Sequence, residues 1–194
     1  MTDRLLFIDT ETGGLDPLKH SLLSIGVVVW DKKSGELFSD EYYIYSDNYV
    51  VTKSATRINH FNLTEHNLHA VAPTIVVQKL FEIRDKYFDK DGLLPLAGHN
   101  VTFDIQFIKQ LFFQCGRSYE KLFSHRAVDT YTIIKFLSDC QLIPNNISSS
   151  ASAFKYFNIT VEGRHTALGD ARATMQLYSK ALLLIKNRMI SNRN

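Results

Sequence analysis

The sequence predicts a single α/β domain: a central mixed sheet of three antiparallel strands followed by two shorter strands, flanked by helices. Three observations predict it. Three β-rich runs open the chain and are joined by short polar connections, which favour antiparallel neighbours. Segments of helical periodicity then alternate with brief apolar runs. Finally, 194 residues, 45% apolar and 22% charged, suffice for one core, and no internal repeat or second core is evident.

Residues 5–10 are apolar on both faces and read as a central first strand. Gly13, Gly14 and Pro17 break the chain before a second, β-branched strand over 22–30. The polar turn 31–35 leads to an alternating third strand over 36–45. Residues 54–70 are polar, hold His60, His66 and His69, and read as short helical pieces or a long loop. Pro73 starts a helix to Phe88 with a stripe of Val77, Leu80, Phe81, Arg84 and Phe88. A short strand over 94–97 precedes a helix over 102–113, where Phe103, Phe107 and Leu111 share one side. Ala127 and Val128 form a brief strand, and Asp129 is placed to cap the helix after it. The serine-rich stretch 148–157 reads as a capped helix because Ala153, Phe154 and Phe157 have helical spacing. A long helix over 167–186 carries Leu168, Ala171, Met175, Tyr178, Leu182 and Ile185. The domain is expected over 1–186, with 187–194 a short tail.

Bulk properties exclude little. The net charge is +2, so nucleic acid would be held by local patches and metal ions rather than by overall charge. Cys115 and Cys140 are far apart and suggest neither zinc nor redox chemistry. They fit free thiols in a reducing compartment. The opening Met1-Thr2-Asp3-Arg4 is no secretion signal, and no segment is long enough to span a bilayer. A cytoplasmic protein without membrane association is expected.

The chemistry lies in acids that stand where apolar elements meet loops. Asp9 and Glu11 end the first strand, two residues apart and therefore on one face. Like charges so close repel and raise each other's pKa unless a cation lies between them. Asp104 lies in the first turn of one helix and Asp170 opens another. Taken singly, each of these two also reads as an acid favoured by a helix macrodipole, and Asp129 as a cap. Taken together, Asp9, Glu11, Asp104 and Asp170 can converge at the sheet edge where open α/β folds bind ligands. Oxygen donors without cysteine suit Mg²⁺ or Mn²⁺. Two such ions about 4 Å apart form a clamp for displacement at phosphorus. His165, five residues before Asp170, can take a proton from an attacking water near neutral pH.

The stretches IDTETGGLDP, GHNVTFD and HTALGDA resemble, in order and spacing, the three motifs of the DEDDh exonucleases. That family belongs to the ribonuclease H-like superfamily and includes the proofreading epsilon subunit of bacterial replicative DNA polymerase. The likeness runs from about Arg4 to Leu184. It implies a ribonuclease H-like fold, with Asp9, Glu11, Asp104 and Asp170 as ligands of two divalent metal ions and His165 as general base. A histidine rather than a tyrosine before the last aspartate implies the histidine subgroup. It further implies that Thr10, Thr12, Gly13 and Leu15 receive the terminal nucleotide, Leu15 as an apolar wedge, with His99, Asn100 and Phe103 near sugar or base. Gly13 departs from the usual threonine-rich opening. Arg57, Asn59 and His60 are further candidates along the strand's path, and Phe103 reads equally as a core residue beside Phe107.

The activity so implied is 3′→5′ removal of nucleoside monophosphates from single-stranded or frayed ends, DNA preferred, for proofreading or repair. Any polymerase or repair partner would be a separate chain. The alternatives are an RNA-trimming enzyme of the ribonuclease T or oligoribonuclease kind, a non-catalytic nucleic-acid-binding module, or a phosphodiesterase of small nucleotides.

Overall fold

The computed structural model describes residues 3–147 and 149–191. Its five-stranded sheet comprises β1 (Arg4–Thr12), β2 (Leu22–Asp31), β3 (Gly35–Tyr43), β4 (Leu94–Gly98) and β5 (Phe123–Asp129), in the order β3-β2-β1-β4-β5. The first three strands pair antiparallel, as short connections require, whereas β4 joins β1, and β5 joins β4, in parallel. The central position of β1 explains its apolar faces. Leu6 and Ile8 enter one core with α3 (Pro73–Tyr87) and α4 (Thr102–Gln114). Leu5 and Phe7 enter another with Val28, Trp30 and the small or flexible Ala171 and Met175 of α7 (Ala167–Ser191). Burying Phe7 completely contributes about 2–3 kcal/mol.

Several elements differ from expectation, each for a physical reason. β1 runs on to Thr12, which puts Glu11 inside the ladder opposite Ser24. β3 ends at Tyr43, and Ile44 continues only as an isolated bridge to Val71. The polar region after β3 folds into α1 (Lys53–Asn59) and α2 (Leu63–His69), capped by the Thr52 and Asn62 side chains. In α3 the buried face is Val76, Val77, Leu80 and Ile83. Arg84 instead lies over the Phe81 ring at 5.1 Å, and Phe88 is already past the helix end. β5 covers seven residues rather than two, because an edge strand tolerates the polar Ser124-His125-Arg126. Asp129 does cap α5 (Thr130–Asp139), accepting the Tyr131 N–H at 2.8 Å. α6 (Ser150–Tyr156) starts from a reciprocal Ser149–Ser152 cap; Ser148, the expected start, lies outside the described residues.

The largest correction concerns α7. It continues through Ser191, five residues past its expected end; 192–194 lie outside the described residues. Lys186 to Ser191 contains no glycine or proline to stop it. Its expected stripe does pack, with Leu168, Tyr178 and Leu182 beside the buried Ala171 and Met175, but a further face is buried as well. Ala171 and Met175 face the sheet, while Ala173, Leu177 and Ala181 are buried against Ile134, Leu137 and Phe154 of α5 and α6. A third hydrophobic cluster thus exists where only one core was expected, with α7 between it and the sheet.

Gly26 on β2, opposite Asp9, sets how closely α7 begins. A Cβ there would lie 2.1 Å from the Ala167 carbonyl carbon, so only glycine lets this helix start rest on the sheet. Gly26→Ala is therefore expected to lower stability by about 1–3 kcal/mol, the usual cost of overpacking, in a urea melt. A variant as stable as wild type would show that the helix start moves freely.

Candidate active site

Strand alternation puts Asp9 and Glu11 on the same face as Leu5 and Phe7, the face that α7 covers. Gly26 lets the first turn of α7 sit on that face, and Asp170 lies in this turn. Carboxylate oxygens of Asp9, Glu11 and Asp170 consequently fall within 4.8 Å of one another. The helix start is fixed from β3: Glu41 Oε1 accepts the Ala167 N–H at 3.2 Å and the Ser24 hydroxyl at 2.8 Å. The preceding loop folds back closely, since a Cβ on Gly169 would lie 2.2 Å from the Gly163 carbonyl oxygen. This brings His165 to Asp170. Its backbone N–H donates to Oδ2 at 3.3 Å, with the residue in the left-handed region at φ 65°. Oδ1 of Asp170 is held by Arg164 in an ion pair.

Asp104 comes from the opposite side of the sheet, in the first turn of α4. It is only 4% exposed and accepts the Thr10 hydroxyl at 2.7 Å. Of the four expected acids, Asp9, Glu11 and Asp170 form a tight trio, and Asp104 adjoins it from the other side of the sheet. Its charge is the largest acting on Asp9, ahead of those of Asp170 and Glu11.

The electrostatics follow from burial and mutual repulsion. Desolvation, followed by the charges of Asp104, Asp170 and Glu11, raises the Asp9 pKa well above the usual carboxylate value. Glu11 is pushed up to about 8 by burial, with Asp170 and Glu41 adding to it and an Asn59 hydrogen bond opposing. Asp104 is raised to about 7, again by burial, with the Thr10 hydroxyl opposing. A buried set of oxygen donors that repel one another is the chemistry a divalent cation relieves, so these residues can bind metal ions.

The same shifts predict a pH effect on the metal-free protein. A carboxyl whose folded pKa exceeds its unfolded value contributes stability below the unfolded pKa, and that stability is lost as pH rises through the folded one. For Glu11 the window runs from 4.5 to about 8. With chelator present, the melting temperature is expected to fall across this window, and Glu11→Gln should flatten the fall. Identical slopes for variant and wild type would mean that Glu11 carries no such penalty.

The other expected substrate residues are distributed around the trio. Thr10 and Thr12 are buried, and the Thr12 hydroxyl donates to the Gly14 carbonyl at 2.8 Å. Gly13 is packed so that a Cβ would lie 2.1 Å from the Val50 carbonyl oxygen, which accounts for glycine there. Leu15 projects into solvent, 83% exposed. The His99 ring is within 3.0 Å of the Thr130 hydroxyl, Asn100 has φ 59° and donates its N–H to Asp129 at 3.0 Å, and Phe103 lies half-buried, 5.1 Å from the Phe107 ring. A groove of about 420 Å³ runs from Glu11 and His165 past Asn59, His60, Phe61 and His69. Asn59 donates to the Thr12 carbonyl at 3.1 Å, and the His60 and His165 rings are 6.5 Å apart. Arg57 is exposed and does not line it. Glu41 and Arg164 also belong to the site's surroundings. Arg164 adjoins His165 and could have been noticed, whereas nothing in the pattern of β3 marks Glu41.

Comparison with known proteins places the chain in a family. The RNase T family model, described as exonuclease, matches residues 6–178. DNA polymerase III subunit epsilon of Treponema pallidum is 27% identical over 88% of this chain and 73% of its own length. PolC-type DNA polymerase III of Clostridium perfringens is 26% identical over 96% of this chain but only 12% of that protein. Oligoribonuclease of Buchnera aphidicola is 25% identical over 66% of this chain and 81% of its own. Escherichia coli exonuclease I, solved in complex with a dT13 oligonucleotide, shares the fold at a TM-score of 0.77 and 17% identity, over all of this chain and 44% of that one. This chain thus spans a small part of the polymerase and under half of exonuclease I. With the family model matching most of the chain, the chain belongs to the exonuclease family.

Proposed function

We propose that the chain is a metal-dependent 3′→5′ exonuclease that removes nucleoside monophosphates from single-stranded or frayed DNA ends. The observation that carries this is the trio Asp9, Glu11 and Asp170, within 4.8 Å, of which Glu11 lines a groove together with His165. These three, with Asp104 behind them, would hold two divalent ions, Mg²⁺ or Mn²⁺. When bound, the ions supply positive charge for the phosphate and acidify the attacking water. His165 takes the proton of that water. Phosphorus gains the water oxygen and its bond to the O3′ of the preceding nucleotide breaks. Asp170 orients the His165 loop through its backbone N–H. Thr10 holds Asp104 in place, and Thr12 and Gly13 shape the turn from which exposed Leu15 can wedge under the terminal base. His99, Asn100 and Phe103 flank the sugar.

DNA is preferred because the curated relatives include replicative polymerase chains, which also makes a polymerase or repair protein the expected partner. Both cysteines are free thiols, which fits a cytoplasmic setting. Among the described residues no helix is long and apolar enough to cross a membrane. The test is digestion of matched DNA and RNA strands labelled at either end, with Mg²⁺, Mn²⁺ or chelator. Metal-dependent release of mononucleotides from the 3′ end is expected, faster on DNA. Shortening from the 5′ end, or no metal-dependent release, would overturn the reading; faster RNA digestion would reassign the substrate.

A further inference from the structure

Arg164 has no place in the reading above, yet its guanidinium is paired with one of the acids of the trio. Arg164 Nη1 pairs with Asp170 Oδ1 while the His165 N–H takes Oδ2, so consecutive residues engage both oxygens of one carboxylate. The Asp170 side chain is 13% exposed and that of Arg164 35%, which places the guanidinium at the lip of the site. It also has a second seat. Its Cζ lies 5.5 Å over the Phe154 ring, and Nη2 is 3.5 Å from the Ser150 hydroxyl, both on α6. A guanidinium can stay on an aromatic face after losing its carboxylate partner.

We propose that Arg164 is a displaceable counter-ion of the acid cluster, which yields Asp170 to an incoming divalent cation and then pairs with a phosphate of the nucleic acid. The inference rests on the metal-binding reading. A monovalent guanidinium and a divalent ion repel when both are held by one buried carboxylate, so the two compete for Asp170. In the metal-free protein the arginine relieves part of the repulsion among Asp9, Glu11 and Asp170. Once displaced, its planar fork is suited to phosphate oxygens, and its seat on Phe154 keeps it at the lip where a strand must enter.

The test uses Mn²⁺ alone, by calorimetric titration and by melting of the metal-free protein, on wild type, Arg164→Gln and Arg164→Lys. Arg164→Gln is expected to melt lower without metal, to bind Mn²⁺ about 3–30-fold more tightly, and to match wild type at saturating Mn²⁺. Arg164→Lys, which keeps the charge but not the fork, should lie between them and serves if the glutamine variant does not fold. Equal or weaker Mn²⁺ binding in the variants would overturn the exchange, weaker binding showing that Arg164 instead holds Asp170 in place for the metal. Wild type that binds no Mn²⁺ would overturn the metal reading as well, a distinguishable failure. For the phosphate contact, oligo-dT binding is measured against salt with Ca²⁺ in place of Mn²⁺. The slope of log affinity on log salt should fall by about 0.7 in Arg164→Gln, one phosphate contact on a single strand. An unchanged slope would remove that contact.

Discussion

Glu11→Gln and Asp104→Asn are each expected to lower the rate of nucleotide release by about 10³-fold or more while strand binding stays detectable. The two variants probe different positions. Glu11 belongs to the trio and lines the groove, so its loss removes a donor directly. Asp104 is buried and bonded to Thr10, and an asparagine there still accepts the threonine hydroxyl. A fall in rate without a fall in stability would then report on charge near Asp9 rather than on a damaged fold. Melting curves taken beside the kinetics separate the two. Activity within tenfold of wild type in either variant would take that residue out of the metal site.

Replacing His165 by alanine is expected to slow release by about 10²–10⁴-fold, the range for a lost general base. The loss should shrink as pH rises, because hydroxide can substitute for the base. One complication is local: His165 has φ 65°, where alanine is strained. Asparagine adopts that region more readily and keeps the backbone N–H on Asp170, so His165→Asn isolates the imidazole from the loop. Both variants should be equally slow. A fast asparagine variant with a slow alanine one would make the loop conformation, not the proton transfer, the contribution of this position.

Much of this architecture is legible in the sequence because it depends on local period and punctuation. The apolar run into Asp9 fixes β1, the two-residue spacing fixes the shared face of Asp9 and Glu11, and Pro73 and Asp129 mark helix starts. What is not legible depends on approach between distant segments. Gly26 reads as an ordinary glycine until Ala167 is brought against it. Glu41 reads as one polar residue in an alternating strand, although it holds the α7 N–H across 126 positions. The cluster around Ala173 and Leu177 is hidden because small residues, which let helices pack closely, give weak periodic signals. The placing of Asp104 outside the trio is hidden too. It follows from α4 and α7 lying on opposite faces of the sheet, which spacing cannot reveal.

The division of the trio between β1 and α7 has a consequence for the order of synthesis. A nascent chain grown as far as Thr166 already holds Asp9, Glu11, Asp104 and His165 but lacks Asp170. It also lacks the helix that covers Phe7 and Trp30, so the strand bearing the first two acids still shows an apolar face. Docking of α7 therefore buries that face and completes the acid cluster in one event. On the ribosome, surrounded by messenger and ribosomal RNA, an unfinished copy carries an incomplete set of the acids that the proposed chemistry needs.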